Sequence, residues 1–541
     1  MSVRTASSKN RNSAKKAAGK AIETDGGSKN IFGSDGPATD YFVGNGYRPN
    51  QREAIEEIED AFEQGYRYVV VDAPTGAGKS HVARSFAFQS NSTHLVTVQK
   101  LLQDQYQRDF PDMYVMKGRN AYACIEGEAG DSCANGPCRR RKMGPNPNCP
   151  YQVAKMKAMA APVTVHNFDS FFYQNSYGGG YGGRKLLIVD EAHNIPGKFT
   201  EFLSFTIDSR GGIVVPEAYT LGEYDDFVGA TRTEYQAEYD ALQRQFNAVG
   251  LDDKNQLRRM QDLGGMLQKM STYLFERQKE YPTEFVFDFK SKGRHGANVT
   301  FRPVFVGKWA SRWLFNYGER VILMSATILN KEMFCREVGL NPDETYYVQV
   351  PSTFPPENRP IVKKYAGKMS YNDIDETLPN IVDRVQEIVD RFPDRKGIIQ
   401  THSEKIASYL QNNLFDRRFT FNKNFPRPQD MLESHKRKNG SFIVASGLRE
   451  GLDLHGDLSK IQVFCKIPYP SMGDKVVKRK MELDDNWYGW ITTVMFIQAL
   501  GRSVRSPKEK AVTYILDSGF GWFYKRNKKF IPDYIKDAIK W

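Results

Sequence analysis

Residues 73–80 read APTGAGKS, and residues 185–193 read KLLIVDEAH. The first stretch is a Gly-rich turn ending in Lys79 and Ser80; the second is an apolar run closed by two adjacent carboxylates, Asp190 and Glu191. A turn of that kind between a strand and a helix aims backbone N–H groups and a helix dipole at one point, which suits a phosphate chain. Ala73, Pro74, Thr75, Gly76, Ala77 and Gly78 would form the cradle. Lys79 would reach the β- and γ-phosphates of ATP, and the Ser80 hydroxyl would ligate Mg²⁺. Successive side chains of a strand point to opposite faces, so the two carboxylates divide the work. Asp190 is expected to hold Mg²⁺ and Glu191 to orient and polarise an attacking water.

A second group of reactive side chains lies between these stretches. Cys124, Cys133, Cys138 and Cys149, four of the six cysteines, fall in one polar segment with spacing C-x8-C-x4-C-x10-C. Structural zinc sites are usually built from tight pairs of cysteines, and only the middle gap is that short. Four thiolates on an irregular loop equally match the ligands of a [4Fe–4S] cluster. Spacing alone leaves zinc and iron–sulfur open. The chain shows no secretory signal and no run approaching the ~20 apolar residues of a membrane span, so a soluble, intracellular protein is expected, where structural disulfides are rare. Cys335 and Cys465 lie in apolar surroundings and read as small core residues.

The elements that must position these groups follow from periodicity. In residues 51–62, Ala54, Ile55, Ile58, Ala61 and Phe62 share one helical face ahead of the strand YVVVD at 68–72. Strand patterns YVVVD, HLVTV, PVTV, KLLIVD and RVILM alternate with helical stretches, which predicts a parallel sheet covered by helices on both faces. GIIQT, SFIVA, IQVFCK and AVTYILD predict a second domain of the same kind from about residue 346. A nucleotide would then sit in the cleft between the two. Between DEAH and Ser325-Ala326-Thr327, Leu257, Met260, Leu263, Leu267, Met270 and Leu274 recur at helical spacing and predict two packed helices.

The loop together with DEAH resembles a superfamily 2 helicase, and further segments match in order. YRPNQ (47–51) resembles an adenine-reading motif, with Arg48 and Gln51. TVQKLLQDQ (97–105) is similar to motif Ia, Ser325-Ala326-Thr327 to motif III, and THS (401–403) to motif IV. SGLREGLD (446–453) resembles motif V and QALGRSVR (498–505) motif VI. A four-cysteine insertion between motif Ia and DEAH, opened by KGRNAYAC and closed by CPYQVAK, resembles the XPD/DinG iron–sulfur helicases. The motifs span residues 47–517, almost the whole folded chain.

The resemblance implies an α/β fold with two RecA-like parallel-sheet motor domains, an inserted iron–sulfur cluster domain and a helical arch insertion. The expected division is a disordered basic tail (1–40), motor domain 1 in three parts (41–115, 153–198 and 299–345), the cluster insertion (116–152), the arch (199–298) and motor domain 2 (346–541). Expected cofactors are ATP, Mg²⁺ and a [4Fe–4S] cluster on Cys124, Cys133, Cys138 and Cys149. Gln498, Arg502 and Arg505 join Lys79, Asp190 and Glu191 as expected catalytic residues, and Asp453 joins the nucleotide contacts. Two arginines on one helix turn supply charge to a phosphoryl-transfer transition state, typically worth about 10³–10⁵ in rate. The implied activity is ATP-driven movement on single-stranded DNA, 5′→3′, by a monomeric motor that opens forked duplex. The other reading is an ATP-gated clamp that grips nucleic acid without separating strands. A nuclease domain is not expected, since only a short tail precedes the first motif.

Charge agrees with a polyanionic partner. The chain of 541 residues carries a net charge of +12. Half of that excess lies in residues 1–20, which hold six Lys/Arg and no carboxylate. Arg139, Arg140, Arg141 and Lys142 beside the third cysteine are expected to track a phosphate backbone, and the basic segment 523–541 to pack on the second domain. GGGYGG (178–183) reads as a flexible loop.

Overall fold

The structure is a computed structural model that describes residues 32–34, 36–98, 100–140, 146–177, 180–251, 253–280, 283–447, 454, 456–504 and 506–540. The expectations for residues 1–31, for Arg141 and Lys142, for Gly178 and Gly179, for 448–453 with Asp453, and for Arg505 lie outside the described residues.

In chain order the strands of the first half are β1 (Tyr68–Asp72), β2 (Thr93–Thr97), β3 (Tyr114–Met116), β4 (Val163–Asn167), β5 (Arg184–Asp190), β6 (Phe205–Asp208), β7 (Phe285–Gly293), β8 (Gly296–Pro303), β9 (Gly318–Ser325) and β10 (Thr345–Gln349). Seven of them form one parallel sheet in the order β10-β1-β9-β5-β2-β4-β3. Alternating side chains fill both faces. Val70, Val96, Leu187, Val189, Val321 and Leu323 enter one core, and Val69, Val71, Leu95, Ile188, Ile322 and Met324 the other. Register pairs Asp72 with Ser325 and Asp190 with Met324, so the carboxyl ends of β1, β9 and β5 stand level. That edge is where a doubly covered parallel sheet binds ligands.

The second half adds β11 (Ile361–Gly367), β12 (Gly397–Gln400), β13 (Phe419–Phe421), β14 (Phe442–Ala445), β15 (Ile461–Phe464), β16 (Val512–Asp517) and β17 (Ile539–Lys540). They form a second parallel seven-stranded sheet, ordered β13-β14-β12-β15-β16-β11-β17. The amphipathic helix Ile374–Arg391 buries Ile374, Leu378, Ile381, Val385 and Ile388 against one face. The two parallel-sheet lobes expected from strand periodicity, RecA-like by the resemblance, are therefore present. Cys335 and Cys465 are both core residues.

Three particulars differ from the sequence reading. Thr345–Gln349 pairs with β1, so the first sheet runs past the boundary placed at 345; TYYVQ covers an edge that β1 would otherwise leave open. Between β5 and β9, helices Leu221–Ala248 and Lys254–Arg277 pack together as expected, but on an antiparallel sheet, β6-β8-β7, that extends the insertion beyond 298. Its core is aromatic, with Phe205 stacked on Phe301 at 4.9 Å beside Tyr224 and Tyr273. Finally, the basic C-terminal segment ends as β17, hydrogen-bonded to β11. No helix among the described residues is long and apolar enough to cross a membrane.

The lobes are fastened by two helices of the second half, Lys475–Leu483 and Asp485–Leu500. Trp487, Trp490 and Val494 enter the core of the first lobe. Lys480 pairs with Glu337 at 2.5 Å with both side chains buried, and the Trp487 indole donates to the same carboxylate at 3.0 Å. Arg302–Asp474 (2.6 Å), Arg336–Asp484 and Arg479–Glu284 flank this pair. A buried charge whose partner is removed costs about 3–5 kcal/mol, whereas replacing both by apolar groups is often neutral. Lys480→Met should therefore lower the thermal midpoint markedly, and Lys480→Met with Glu337→Leu should recover most of the loss, as read by differential scanning calorimetry.

Candidate nucleotide site and interlobe cleft

The loop of residues 73–78 leaves β1 and runs into the helix Lys79–Ser90. Gly76 and Gly78 adopt φ of 84° and 85°, left-handed values that side chains rarely take. The first N–H groups of the helix have no intrahelical acceptor and face the cradle, as an anion requires. Lys79 donates to the Ala73 carbonyl at 3.0 Å, and Ala73 N–H donates to the Ser325 carbonyl at 2.9 Å.

Arg48 and Gln51, expected to read adenine, grip this loop. Arg48 donates to the Gly76 carbonyl at 2.6 Å and Gln51 to the Gly78 carbonyl at 3.0 Å, while Gln51 Oε1 accepts the Arg48 N–H at 2.9 Å. A Cβ at Gly78 would lie 2.3 Å from Gln51 Nε2. These bonds are to backbone groups.

Asp190 ends β5 with its carboxylate buried. Oδ1 accepts the Glu191 N–H at 3.0 Å and Oδ2 accepts the Tyr106 hydroxyl at 3.0 Å. Burial, then the neighbouring Glu191 charge, pushes its pKa up to about 6, against the pull of Lys79. Two crowded carboxylates in a dry place call for a cation. Hard oxygen donors, with the Ser80 hydroxyl at the head of the helix, suit Mg²⁺.

Glu191 takes left-handed angles, φ 54° and ψ 47°, and lies 3.3 Å from His193. His193 contacts the Ser325 hydroxyl at 2.7 Å; Ser325 and Thr327 hydroxyls are 3.4 Å apart; Gln498 donates to Thr327 at 3.1 Å. Burial, with Lys79 nearby, lowers the His193 pKa to about 3, so the ring is neutral. A line of polar contacts, hydrogen-bonded from His193 onward, thus runs from beside Glu191 into the facing lobe. Between the lobes lies a cleft of about 1170 Å³, lined at this end by Thr75, Glu191, Thr327, Gln498 and Arg502. The facing lobe comes close here: a Cβ on Gly501 would be 3.4 Å from the Thr75 hydroxyl.

The motif Ia stretch ends β2 and begins the helix Lys100–Asp109, with Gln99 outside the described residues. Leu101, Asp104, Gln105 and Arg108 of that helix line the same cleft. On the other lobe, His402 (φ 48°) and Ser446 line it as well. Sequence reasoning stopped at Gln105 and so missed Tyr106, although Gln103, Tyr106 and Phe110 repeat at helical spacing.

All four clustered cysteines are described. Cys124 N–H donates to Asp131 O and Cys133 N–H to Tyr122 O, each at 2.9 Å, so one folded-back strand pair carries the first two. Cys149 caps the helix Pro150–Ala160. Cys133 and Cys149 are buried with their sulfurs 3.9 Å apart. Burial, then Cys149, raises the Cys133 thiol to about 11; burial, then Cys124 and Cys149, raises Cys138. Thiols that suppress one another's ionisation in this way are relieved by a bound cation, which fits a thiolate-ligated metal group. Among the described residues no three His, Cys, Asp or Glu side chains converge on one point. Arg140, expected to track phosphates, is engaged with Asp131 at 3.7 Å.

Two family profiles match the chain: "Type III restriction enzyme, res subunit" over residues 46–209 and "Helicase C-terminal domain" over 400–538. The chain is similar to the ATP-dependent DNA helicase YoaA of Haemophilus influenzae, at 20% identity over 90% of this chain and 93% of that protein. Among solved structures it resembles an XPD helicase at 16% identity and TM-score 0.63, covering 90% of this chain and 98% of the other. It also resembles Xpd4 of S. tokodaii, at 14% identity and TM-score 0.54, covering 91% and 99%. Fold and site together define a two-lobed protein with a phosphate loop in its first lobe and a helicase C-terminal domain in its second. The whole-chain architecture is similar to that of the XPD helicases.

Because Gln51 holds the loop, Gln51→Ala should lower kcat/KM for ATP and GTP by a similar factor of about ten, the worth of a hydrogen bond of roughly 1.4 kcal/mol. Steady-state hydrolysis with both nucleotides checks this; an adenine-reading glutamine would affect ATP alone.

Proposed function

We propose that this chain is an ATP-dependent DNA helicase that moves 5′→3′ along single-stranded DNA and opens forked duplex against its cysteine-bearing segment. The observation that carries the reading is the line Glu191–His193–Ser325–Thr327–Gln498, which joins the reacting end of the nucleotide site to the facing lobe. Glu191 takes a proton from water as its oxygen bonds to the γ-phosphorus and the bond to the bridging β,γ-oxygen breaks, leaving ADP and phosphate. Lys79 and the helix N–H groups neutralise the charge from one lobe, and Arg502 from the other. Mg²⁺, held by Ser80 and Asp190, would supply Lewis-acid stabilisation of the phosphate oxygens.

Once the γ-phosphate is gone, Arg502 loses the charge it faces, and the hold between the lobes at this edge weakens. Repeating that cycle is what strand separation needs, since stacking costs about 1.4 kcal/mol per base-pair step and static binding cannot supply it again and again. Contacts in the cleft fall to phosphates and stacked bases, so affinity should be salt-sensitive and weakly sequence-specific. Cys124, Cys133, Cys138 and Cys149 would hold a [4Fe–4S] cluster, whose iron–sulfur bonds would pin that polar segment.

Lys79→Ala should abolish ATP turnover while leaving single-strand binding within about twofold, measured by phosphate release and fluorescence anisotropy. In a strand-displacement assay, the wild-type chain should open a duplex carrying a 5′ overhang. Turnover stimulated by single strands without displacement would indicate the ATP-gated clamp instead. Cys138→Ser, purified without air, should lose iron and visible absorbance along with displacement, while part of the ATP turnover survives; finding zinc in the wild-type chain would overturn the cluster assignment.

A further inference from the structure

We infer that Tyr106 is a positioning residue through which a DNA strand in the cleft sets the magnesium-holding carboxylate Asp190, an inference that rests on the function proposed above. The helix Lys100–Asp109 has two faces. Leu101, Asp104, Gln105 and Arg108, at i, i+3, i+4 and i+7, line the interlobe cleft. On the opposite face Gln103 and Tyr106 are buried. Gln103 donates to the Met116 carbonyl at 3.1 Å, which holds the helix to β3.

The buried face touches both sides of the metal site. Tyr106 donates its hydroxyl to Asp190 Oδ2 at 3.0 Å; with the Glu191 N–H on Oδ1, this fixes the plane of the carboxylate. Phe110, just past the helix, stands edge-on to His81 at 5.1 Å, and His81 follows Ser80 in the chain. Arg84, on the same helix as Ser80, pairs with Asp112. The end of β5 and the head of the loop helix are thus both braced by one element whose other side faces the strand. A hydrogen bond tolerates only a few tenths of an ångström, so a small shift of this helix on loading is felt at Asp190 before it is felt anywhere in the sheet. A tyrosine serving only to fill the core would need no hydroxyl on a metal ligand.

Tyr106→Phe keeps the ring and its packing and removes only the hydroxyl. The test titrates Mg²⁺ while following a fluorescent, non-hydrolysable ATP analogue, with and without a single-stranded oligonucleotide, and compares ATP turnover under the same two conditions. In the wild-type chain the strand should lower the Mg²⁺ concentration for half-maximal nucleotide binding several-fold and raise turnover. In Tyr106→Phe both responses should shrink to about twofold or less, while oligonucleotide affinity without nucleotide and the thermal midpoint stay as in wild type. Equal strand-induced shifts in the two proteins would overturn the inference and leave the helicase reading standing. A wild-type chain with no strand response in either readout would overturn both.

Discussion

A single buried carboxylate ties the phosphate loop to the joint between the lobes. Asp72 closes β1 one residue before the loop begins, and it accepts the N–H groups of Ile328 at 3.3 Å and Leu329 at 2.9 Å and the Tyr347 hydroxyl at 2.8 Å. Burial pushes its pKa up, and these donors with Lys79 pull against that. The turn it holds is strained: Leu329 sits at φ 62°, a conformation that costs a branched side chain about 1–3 kcal/mol and persists only where neighbours impose it. Three contacts then leave this turn for the second half of the chain. The Ile328 carbonyl accepts the Trp490 indole at 3.0 Å, Thr327 accepts Gln498, and Leu329 packs against the second lobe's core. Loop root, DEAH network and facing lobe therefore share one short joint.

The helix Asp485–Leu500 gives that joint its reach. Its sequence, DNWYGWITTVMFIQAL, is apolar on nearly every side, the mark of a helix buried all round. Trp487, Trp490 and Val494 enter the first lobe's core, whereas Phe496, Ile497 and Ala499 enter the second's. At 1.5 Å per residue the helix is roughly 24 Å long and ends beside Thr75 of the phosphate loop. Its N-terminal part is docked by the buried Lys480–Glu337–Trp487 group and cannot slide without uncovering a charge. In the proposed cycle, motion on losing the γ-phosphate would therefore fall at residues 498–502, where Gln498 meets Thr327 by a polar contact.

What the sequence made legible follows from how each feature is encoded. Parallel strands buried on both faces appear as short apolar runs, and a phosphate loop is written in its own glycines, so both lobes and the loop were readable. The edge strands Thr345–Gln349 and Ile539–Lys540 were not, because each is short and only its neighbour in the sheet makes it a strand. The hairpin β7–β8 left a usable trace: Phe285, Phe287 and Phe289 alternate ahead of a Gly-containing turn, with Val299 and Phe301 answering across the ladder. A strong helical stripe just before it drew the whole stretch to helix. The acceptors of Arg48 and Gln51 were beyond reach for another reason. An amide presents the same donors to a base and to a carbonyl, and only tertiary placement decides between them.

The same logic applies to the cysteine segment, whose polar composition gives little sign of what holds it. Its sequence contains two braces. Tyr122 and Tyr151 meet edge to face at 5.7 Å, with the Arg119 guanidinium 4.4 Å over the Tyr151 ring, and Cys133, Cys149 and Tyr151 enter the first lobe's core. From the other side, Asp131 takes Lys254 at 2.7 Å and Arg140 at 3.7 Å, and Arg140 O accepts the Leu251 N–H, so the segment is tied to the helix Lys254–Arg277 as well. Lys254 and Arg140 together hold Asp131's carboxyl below its usual range, with the Lys254 hydrogen bond the larger influence. Braced by the first lobe on one side and the helical insertion on the other, the segment is held at both ends whether or not its thiols are ligated. The proposed metal ligation would then fix the shape of what lies between the braces, the part a duplex would meet.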